Sequence, residues 1–411
     1  MIRIVSELQV SQLLGRTNDQ MNQAIAIVEP IIQEVRLRGD DALRDFRNQF
    51  DLIAQSEPLF VQSCGDLEPN LLLAVEQAAK NIRRFAEAQI VKPWMNSFSA
   101  DHEVGQIVRP LNSVGVYVPA GRFPLISTML MAVIPAQVAG VREITIACPK
   151  PSAEILSVAK WLGIERVLQI GGAQAVAALA YGTESVSPVQ RIVGPGNIYV
   201  AAAKKLVSLD VAIDFVAGPS EIVIVSSNGK PEWIAGDMLA QAEHDENARA
   251  LLLTTSETLA KKVQNEIEKQ LSNLPTAQIA RCSVDNNSAI ILCRSNESAF
   301  DLVNQIAPEH LSIESFADVE LVQNAGSIFV GEHSTEAAGD YASGPNHILP
   351  TAGLAMVRGG LSVNDFVKVI TVQELSKTAL GDLSFAITQM ARAEGLEAHA
   401  RSVEMRTNAT A

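Results

Sequence analysis

Three short polar clusters hold the side chains best suited to chemistry: Gln241-Ala-Glu-His244, Glu309-His310, and Asp340 followed by Asn346-His347. A further histidine, His399, stands alone near the C-terminal end. Imidazole binds metals and carries protons near neutral pH, and a carboxylate beside it extends both roles. Gln241 and His244 are three apart at the end of an expected helix, so both could reach one ion, although a solvated helix end carries the same pattern. Glu309-His310 follows Pro308 where a loop becomes a strand. Such a pair can take a hydroxyl proton and activate water, while a plain surface pair reads the same. The stretch from Gly339 to His347 is polar and broken by glycines, as functional loops are; there Asp340 could ligate a metal and His347 could hold an anion or a hydroxyl. His102 and His333 read as surface histidines.

Two glycine turns invite a second kind of ligand. Gly171-Gly-Ala-Gln174 lies between an expected strand and helix, and Gly194-Pro-Gly-Asn197 precedes another helix. Each could cradle a phosphate on exposed amides at a helix start, or be no more than a tight turn. Neither matches the GxGxxG fingerprint, so spacing alone does not establish dinucleotide binding.

The elements that must position these groups follow from hydrophobic rhythm. Residues 20–47 and 68–90 carry apolar positions at three- and four-residue spacing and read as amphipathic helices. From residue 114 short β-branched runs alternate with helical stretches to residue 207, and the alternation resumes after Ala217-Gly-Pro-Ser220 and continues to residue 330. Strands alternating with helices imply parallel sheets covered on both faces. The expected fold class is therefore α/β, with two tandem Rossmann-like parallel-sheet units, an N-terminal helical segment and a C-terminal helical tail. The expected division is 1–15 as an N-terminal segment, 16–112 plus 225–360 as a discontinuous α/β domain, 113–224 as a second, and 361–411 as the tail. That tail reads as a strand at 366–372 and one long helix at 375–404, with too little core of its own, so it should pack on another domain or another subunit.

Composition sets bounds. The chain has 411 residues, 47% of them hydrophobic, which excludes disorder, and a net charge of −14. That charge argues against binding a phosphate backbone, leaving small molecules and further copies of the chain as expected partners. The four cysteines, Cys64, Cys148, Cys282 and Cys293, have no paired spacing, so they read as buried thiols in a reducing compartment rather than as disulfides or a zinc site. The first residues lack a basic segment leading into an apolar run. The most apolar stretch, 129–141, is broken by Pro135 and Gln137 and falls short of the roughly 20 residues a spanning helix requires. The expectation is a cytoplasmic protein with no membrane segment.

Taken in order, the motifs resemble the histidinol dehydrogenase family over residues 5–406. The blocks are Val114-Gly-Val-Tyr-Val-Pro, Gly171-Gly-Ala-Gln-Ala-Val-Ala-Ala-Leu-Ala, Gly194-Pro-Gly-Asn, Ala217-Gly-Pro-Ser-Glu, Gln241-Ala-Glu-His-Asp, Pro308-Glu-His-Leu, Gly339-Asp-Tyr-Ala-Ser-Gly-Pro-Asn-His, and the run from Glu394 to His399. The resemblance implies one zinc ion per subunit on Gln241, His244, Asp340 and His399, the last from a neighbouring subunit, and hence a homodimer with shared active sites. It implies Glu309 and His310 as the acid/base pair. Ser220, His347 and Glu394 would hold the substrate together with His310 and the zinc ligands. Tyr117, Gln174 and Asn197 would contact NAD⁺. The implied reaction, in histidine biosynthesis, oxidises L-histidinol to L-histidine through a bound aldehyde with two NAD⁺.

At one place the chain departs from the family. Tyr-Val-Pro usually continues with Gly-Gly, whereas here Pro119 is followed by Ala120-Gly121-Arg122-Phe123. This is similar to a less common branch whose members oxidise other alcohols, such as sulfonated propanediols. A zinc- and NAD-dependent dehydrogenase of another small alcohol is thus an alternative. A zinc hydrolase using the same donors without a dinucleotide is another. A non-enzymatic binding protein is the third.

Overall fold

The strands in the middle of the chain are apolar on both faces, and only a sheet covered on both sides buries such strands. The computed structural model describes residues 1–9, 18–99, 101–119 and 124–407, and two sheets of this kind form. The first is built from β1 Arg3–Ser6, β10 Glu221–Val225, β11 Arg249–Thr254, β12 Ala289–Leu292, β13 His310–Ile313 and β14 Ser327–Val330, with every neighbouring pair parallel. Its order is β1-β12-β11-β10-β13-β14. The pleat sends Ile222, Ile224, Ala250, Leu252 and Ile290 to one core, with helices Pro231–Ala242 and Glu257–Leu271. Val223, Val225, Leu251, Leu253 and Ile291 go to the other, under helix Asn296–Ile306.

The second sheet is built from β2 Phe60–Gln62, β5 Ser113–Tyr117, β6 Glu143–Ala147, β7 Arg166–Leu168, β8 Arg191–Val193 and β9 Ala212–Ile213. Its order is β2-β7-β6-β5-β8-β9, and all pairs are parallel except β2 with β7. Both sheets place β10 or β5 centrally, with later strands on either side, so each has a topological switch point there. Helix Ile126–Ala139 is buried nearly all round, from Thr128 to Ala136, as expected of a core helix. No helix among the described residues is long and apolar enough to cross a membrane.

Two compact units partition the chain: residues 1–89 with 111–366, and residues 90–110 with the chain from 367 onward. The first holds both parallel sheets. In the second, β15 Val367–Leu375 pairs antiparallel with β4 His102–Pro110, which pairs with β3 Trp94–Ser99. Helices Lys377–Ala393 and Glu397–Thr407 pack on each other there.

Several expectations need correction. The expected division groups 16–112 with 225–360, but helix Asn18–Arg38 packs through Ala24, Val28, Ile32 and Val35 against Ala175, Val176 and Ala203, beside the second sheet. Helix Pro69–Gln89 covers the opposite face of that sheet through Val75, Ala78 and Ile82. An apolar stripe announces that a face is buried and not against what. The N-terminal segment supplies an edge strand, β1, to the first sheet. The expected tail begins at residue 361, yet Leu361, Val363 and Phe366 are buried, the first and last in the core of the second sheet. The single long helix expected there is two, separated at Gly395, whose φ of 78° is left-handed. The departure at Ala120-Gly121-Arg122-Phe123 lies outside the described residues.

Candidate active site

The polar clusters converge at the amino ends of the first sheet. Ser220 precedes β10 and Glu309 precedes β13; these two strands are neighbours, with Ile222 level with His310. Glu309 accepts the Glu221 backbone N–H at 2.9 Å and a hydrogen bond from the Ser220 hydroxyl. A side chain at Gly326 would strike the Glu309 carbonyl, so this loop closes tightly behind the carboxylate. Gln241 ends helix Pro231–Ala242 and His244 lies just beyond it. Asp340, expected on a loop, sits on a short helix, Glu336–Tyr341, capped by the Thr335 hydroxyl. Glu336 is four residues before Asp340, so both carboxylates leave the same face.

The distances bring these groups into one cluster. His310 Nε2 is 3.7 Å from Asp340 Oδ1, and its Nδ1 is 3.6 Å from Glu336 Oε1 and 3.8 Å from Glu309 Oε2. His244 Nε2 is 3.9 Å from Asp340 Oδ2. Ligand atoms of His244, Glu336 and Asp340 all lie within 4.8 Å of one another. With its amide oriented as its neighbours require, Gln241 donates to Glu336 and accepts the Glu221 N–H at 3.2 Å. His347 donates from Nδ1 to the Asp340 carbonyl at 2.7 Å, and its Nε2 meets the Thr128 hydroxyl at 3.2 Å.

Burial governs the electrostatics. It pushes the His310 imidazole down to about 4, opposed by the Asp340 carboxylate, so the ring is neutral at pH 7 and can accept a proton. Burial, with Glu221 and Asp340 nearby, holds the Glu309 carboxyl well above the usual range, and the Glu336 carboxyl is raised for the same first reason with Asp340, Glu309 and Asp237 adding to it. His347 is lowered, again chiefly by burial. Perturbed groups concentrated in one place mark functional sites more often than structural ones.

The glycine turns lie at the carboxyl ends of the second sheet. Tyr117 ends β5 and its hydroxyl accepts the Gly172 N–H at 3.0 Å, while burial pushes that hydroxyl up to about 12. Gln174 is buried in the first turn of helix Gly172–Tyr181. Asn197 caps helix Ile198–Val207, its Oδ1 accepting the N–H groups of Tyr199 and Val200. Gly194, with φ of 113°, runs against the Tyr117 carbonyl, where a Cβ would collide. The buried Lys204 and Asp214 side chains pair with each other and clamp Gly194 from both sides: Lys204 donates to its carbonyl at 2.9 Å and Asp214 accepts its N–H at 2.8 Å. Thr128, in the first turn of helix Ile126–Ala139, ties this edge to the polar cluster through His347.

The structure thus brings together Ser220, Gln241, His244, Glu309, His310, Asp340 and His347. Tyr117, Gln174 and Asn197 stand on turns at the neighbouring sheet edge. Glu394 and His399 belong to the other compact unit and are exposed on it, Glu394 at the end of helix Lys377–Ala393 and His399 early in helix Glu397–Thr407. The sequence reading misses Glu336. Its spacing of four from Asp340 is the available signal, and it carries weight only once 336–341 is known to be helical.

Fold and site define a two-sheet α/β enzyme with a carboxylate–imidazole cluster beside the carboxyl-edge turns of a Rossmann-like sheet. The sequence pattern of the histidinol dehydrogenase family matches residues 14–407. The chain is 45% identical over 394 residues to the histidinol dehydrogenase of Syntrophotalea carbinolica, covering 92% of this chain and 91% of that protein. It is 45% identical over 395 residues to that of Streptococcus mutans, with 93% and 92% covered. The crystal structure of histidinol dehydrogenase from Elizabethkingia anophelis matches with a TM-score of 0.92 at 33% identity, over 99% of this chain and 98% of that one. The chain belongs to the histidinol dehydrogenase family and is an oxidoreductase. Of the alternatives above, the hydrolase and the non-enzymatic binding protein fall with that membership.

Proposed function

We propose that this enzyme oxidises L-histidinol to L-histidine in two successive two-electron steps, with two NAD⁺ and one zinc ion per subunit. The observation that carries this reading is His310: a buried, neutral imidazole with a raised carboxyl, Glu309, beside it and Asp340 on its far side. A base that can act on a hydroxyl and then on a hydrate is what an alcohol-to-acid oxidation requires.

The donor set fits zinc. His244 supplies an imidazole, Asp340 a carboxylate with an oxygen 3.9 Å from that imidazole, and Gln241 an amide oxygen. His399 would complete the set from the C-terminal unit of a second copy, in a homodimer with shared sites. When bound, zinc would hold the substrate nitrogens and NAD⁺ would accept the hydride. Tyr117, Gln174 and Asn197 would bind NAD⁺ at the carboxyl edge of the second sheet, where open α/β sheets take such ligands.

The chain's own groups then divide the labour. His310 takes the carbinol proton. Glu309, a stronger base for being raised, draws a proton from the water that adds to the aldehyde, and His310 serves again on the hydrate. Ser220 holds Glu309, while Glu394, together with His347 once its Nε2 exchanges the Thr128 hydroxyl for the ligand, binds the substrate's polar groups. Fixing these groups in place lowers the entropic part of the barrier.

The test is to incubate zinc-loaded protein with limiting L-histidinol and excess NAD⁺, and to count NADH per substrate consumed. Two NADH with L-histidine as product is expected. No turnover by folded, zinc-containing protein would transfer the reading to another small alcohol, with 120–123 the first place to look.

A further inference from the structure

We infer that Glu336 is a positioning residue of this site, a buried carboxylate that aims the Gln241 amide and the His310 ring together. The inference rests on the functional reading above. Glu336 is 4% exposed, so its polar partners must come from the protein. On one side it receives the Gln241 amide N–H, which leaves the Gln241 oxygen turned the other way, toward the Glu221 N–H. An amide has two ends of similar shape, and only its partners decide which one a metal would meet. Glu336 takes the amide nitrogen, which leaves the Gln241 oxygen with the Glu221 N–H and a second lone pair free to meet a metal.

On the other side Glu336 stands 3.6 Å from His310 Nδ1, the nearest carboxylate to a buried nitrogen that lacks a hydrogen-bond partner among the described residues. The separation is too long for a formed hydrogen bond, and a shift of a few tenths of an ångström would make one. Nδ1 turned toward Glu336 leaves Nε2 toward Asp340 and the reacting centre. One side chain therefore sets a metal donor on one helix and a proton acceptor on one strand. Its place on helix Glu336–Tyr341, four residues from Asp340, keeps the three in register.

The close spacing of Glu336 to His244 and Asp340 also admits a rival role, direct ligation, and a double-mutant cycle separates the two. Zinc dissociation constants would be measured by chelator competition on the full chain for wild type, Glu336→Gln, Gln241→Ala and the double variant. Partners that orient metal ligands typically contribute about 10–100-fold in affinity. Each single change should weaken zinc by about that factor, and the double should lie within about threefold of Gln241→Ala alone, because Glu336 acts through the amide. At saturating zinc, kcat of Glu336→Gln on L-histidinol should fall about tenfold or more through His310. Losses that multiply in the double variant, or a Glu336→Gln protein within about twofold of wild type in affinity and kcat, would overturn the inference while leaving the enzyme reading in place. A wild type that takes up no zinc would overturn both. If Glu336→Gln does not fold, Glu336→Asp keeps the charge, shortens the reach and is subject to the same cycle.

Discussion

Asp340 and His347 are joined by a hydrogen bond that fixes a tautomer: the Asp340 main-chain oxygen, 2.7 Å from His347 Nδ1, can only accept, so Nδ1 carries the proton. Nε2 is then an acceptor, and the Thr128 hydroxyl at 3.2 Å is its donor. Replacing Thr128 with valine removes the donor at nearly constant shape and leaves a buried imidazole nitrogen unsatisfied. Such losses cost about 1–3 kcal/mol, and urea denaturation of Thr128→Val should show a drop of that size. An unchanged midpoint would mean that Nε2 finds water instead.

His310 and Glu309 are adjacent in the chain but have separate assignments. His310→Asn keeps the ring's size roughly and removes its proton acceptor; Glu309→Gln keeps the hydrogen-bonding shape and removes the charge. General base assistance is worth about 10²–10⁴ in rate, so each variant should lose at least about tenfold in turnover with its zinc retained. Near wild-type turnover in either removes that residue from the mechanism. Glu309→Gln should fail mainly in the second oxidation, where water adds, so single-turnover NADH traces should retain the first equivalent and lose the second.

Lys204 and Asp214 are both buried and hold Gly194 between them. Lys204→Met would leave the Asp214 charge buried without its partner, a change that typically costs about 3–5 kcal/mol. If the clamped turn serves NAD⁺ as proposed, KM for NAD⁺ should rise while KM for L-histidinol stays within about twofold. Equal rises in both would assign the pair to general stability alone.

Much of this arrangement is legible in the sequence, for physical reasons that also explain the gaps. The run Glu221–Val225 is buried at every position, and a short apolar run bounded by turn residues has few other fates than an interior parallel strand. The clusters around His244, Glu309 and His347 stand out because imidazoles beside carboxylates are uncommon. The pairing of β3 with β4 and β15 is hidden: β3 is exposed at every residue, and without a buried face the period-two signal vanishes. Gly395 is hidden in another way, since one glycine in a helical pattern tells of a break only through its φ. Nothing in the sequence sets Lys204 apart, and only the tertiary fold reveals Asp214 against it.

Asp237 offers a test of how much the site's burial costs. It lies one turn before Gln241 on helix Pro231–Ala242, and burial raises its carboxyl from 3.8 to about 6. A carboxyl whose folded value exceeds its unfolded one contributes stability that is fully present below the unfolded pKa and is lost as pH rises through the folded one. For Asp237 that window runs from roughly pH 4 to 6, and above it the folded protein carries a poorly solvated charge. A tenfold change in proton affinity corresponds to about 1.4 kcal/mol, and with partial exposure the expected penalty at roughly pH 7–8 is about 1–3 kcal/mol. Asp237→Asn should therefore be more stable than wild type at about pH 7–8 and match it near pH 4, as read by denaturant unfolding in a chelating buffer so that bound metal does not mask the effect. The same substitution should lower the proton affinity of Glu336, whose raised pKa owes part of its elevation to the Asp237 charge. A stability difference that is flat from about pH 4 to 8 would show that the Asp237 carboxyl is solvated in the native protein and titrates there as it does in the unfolded chain.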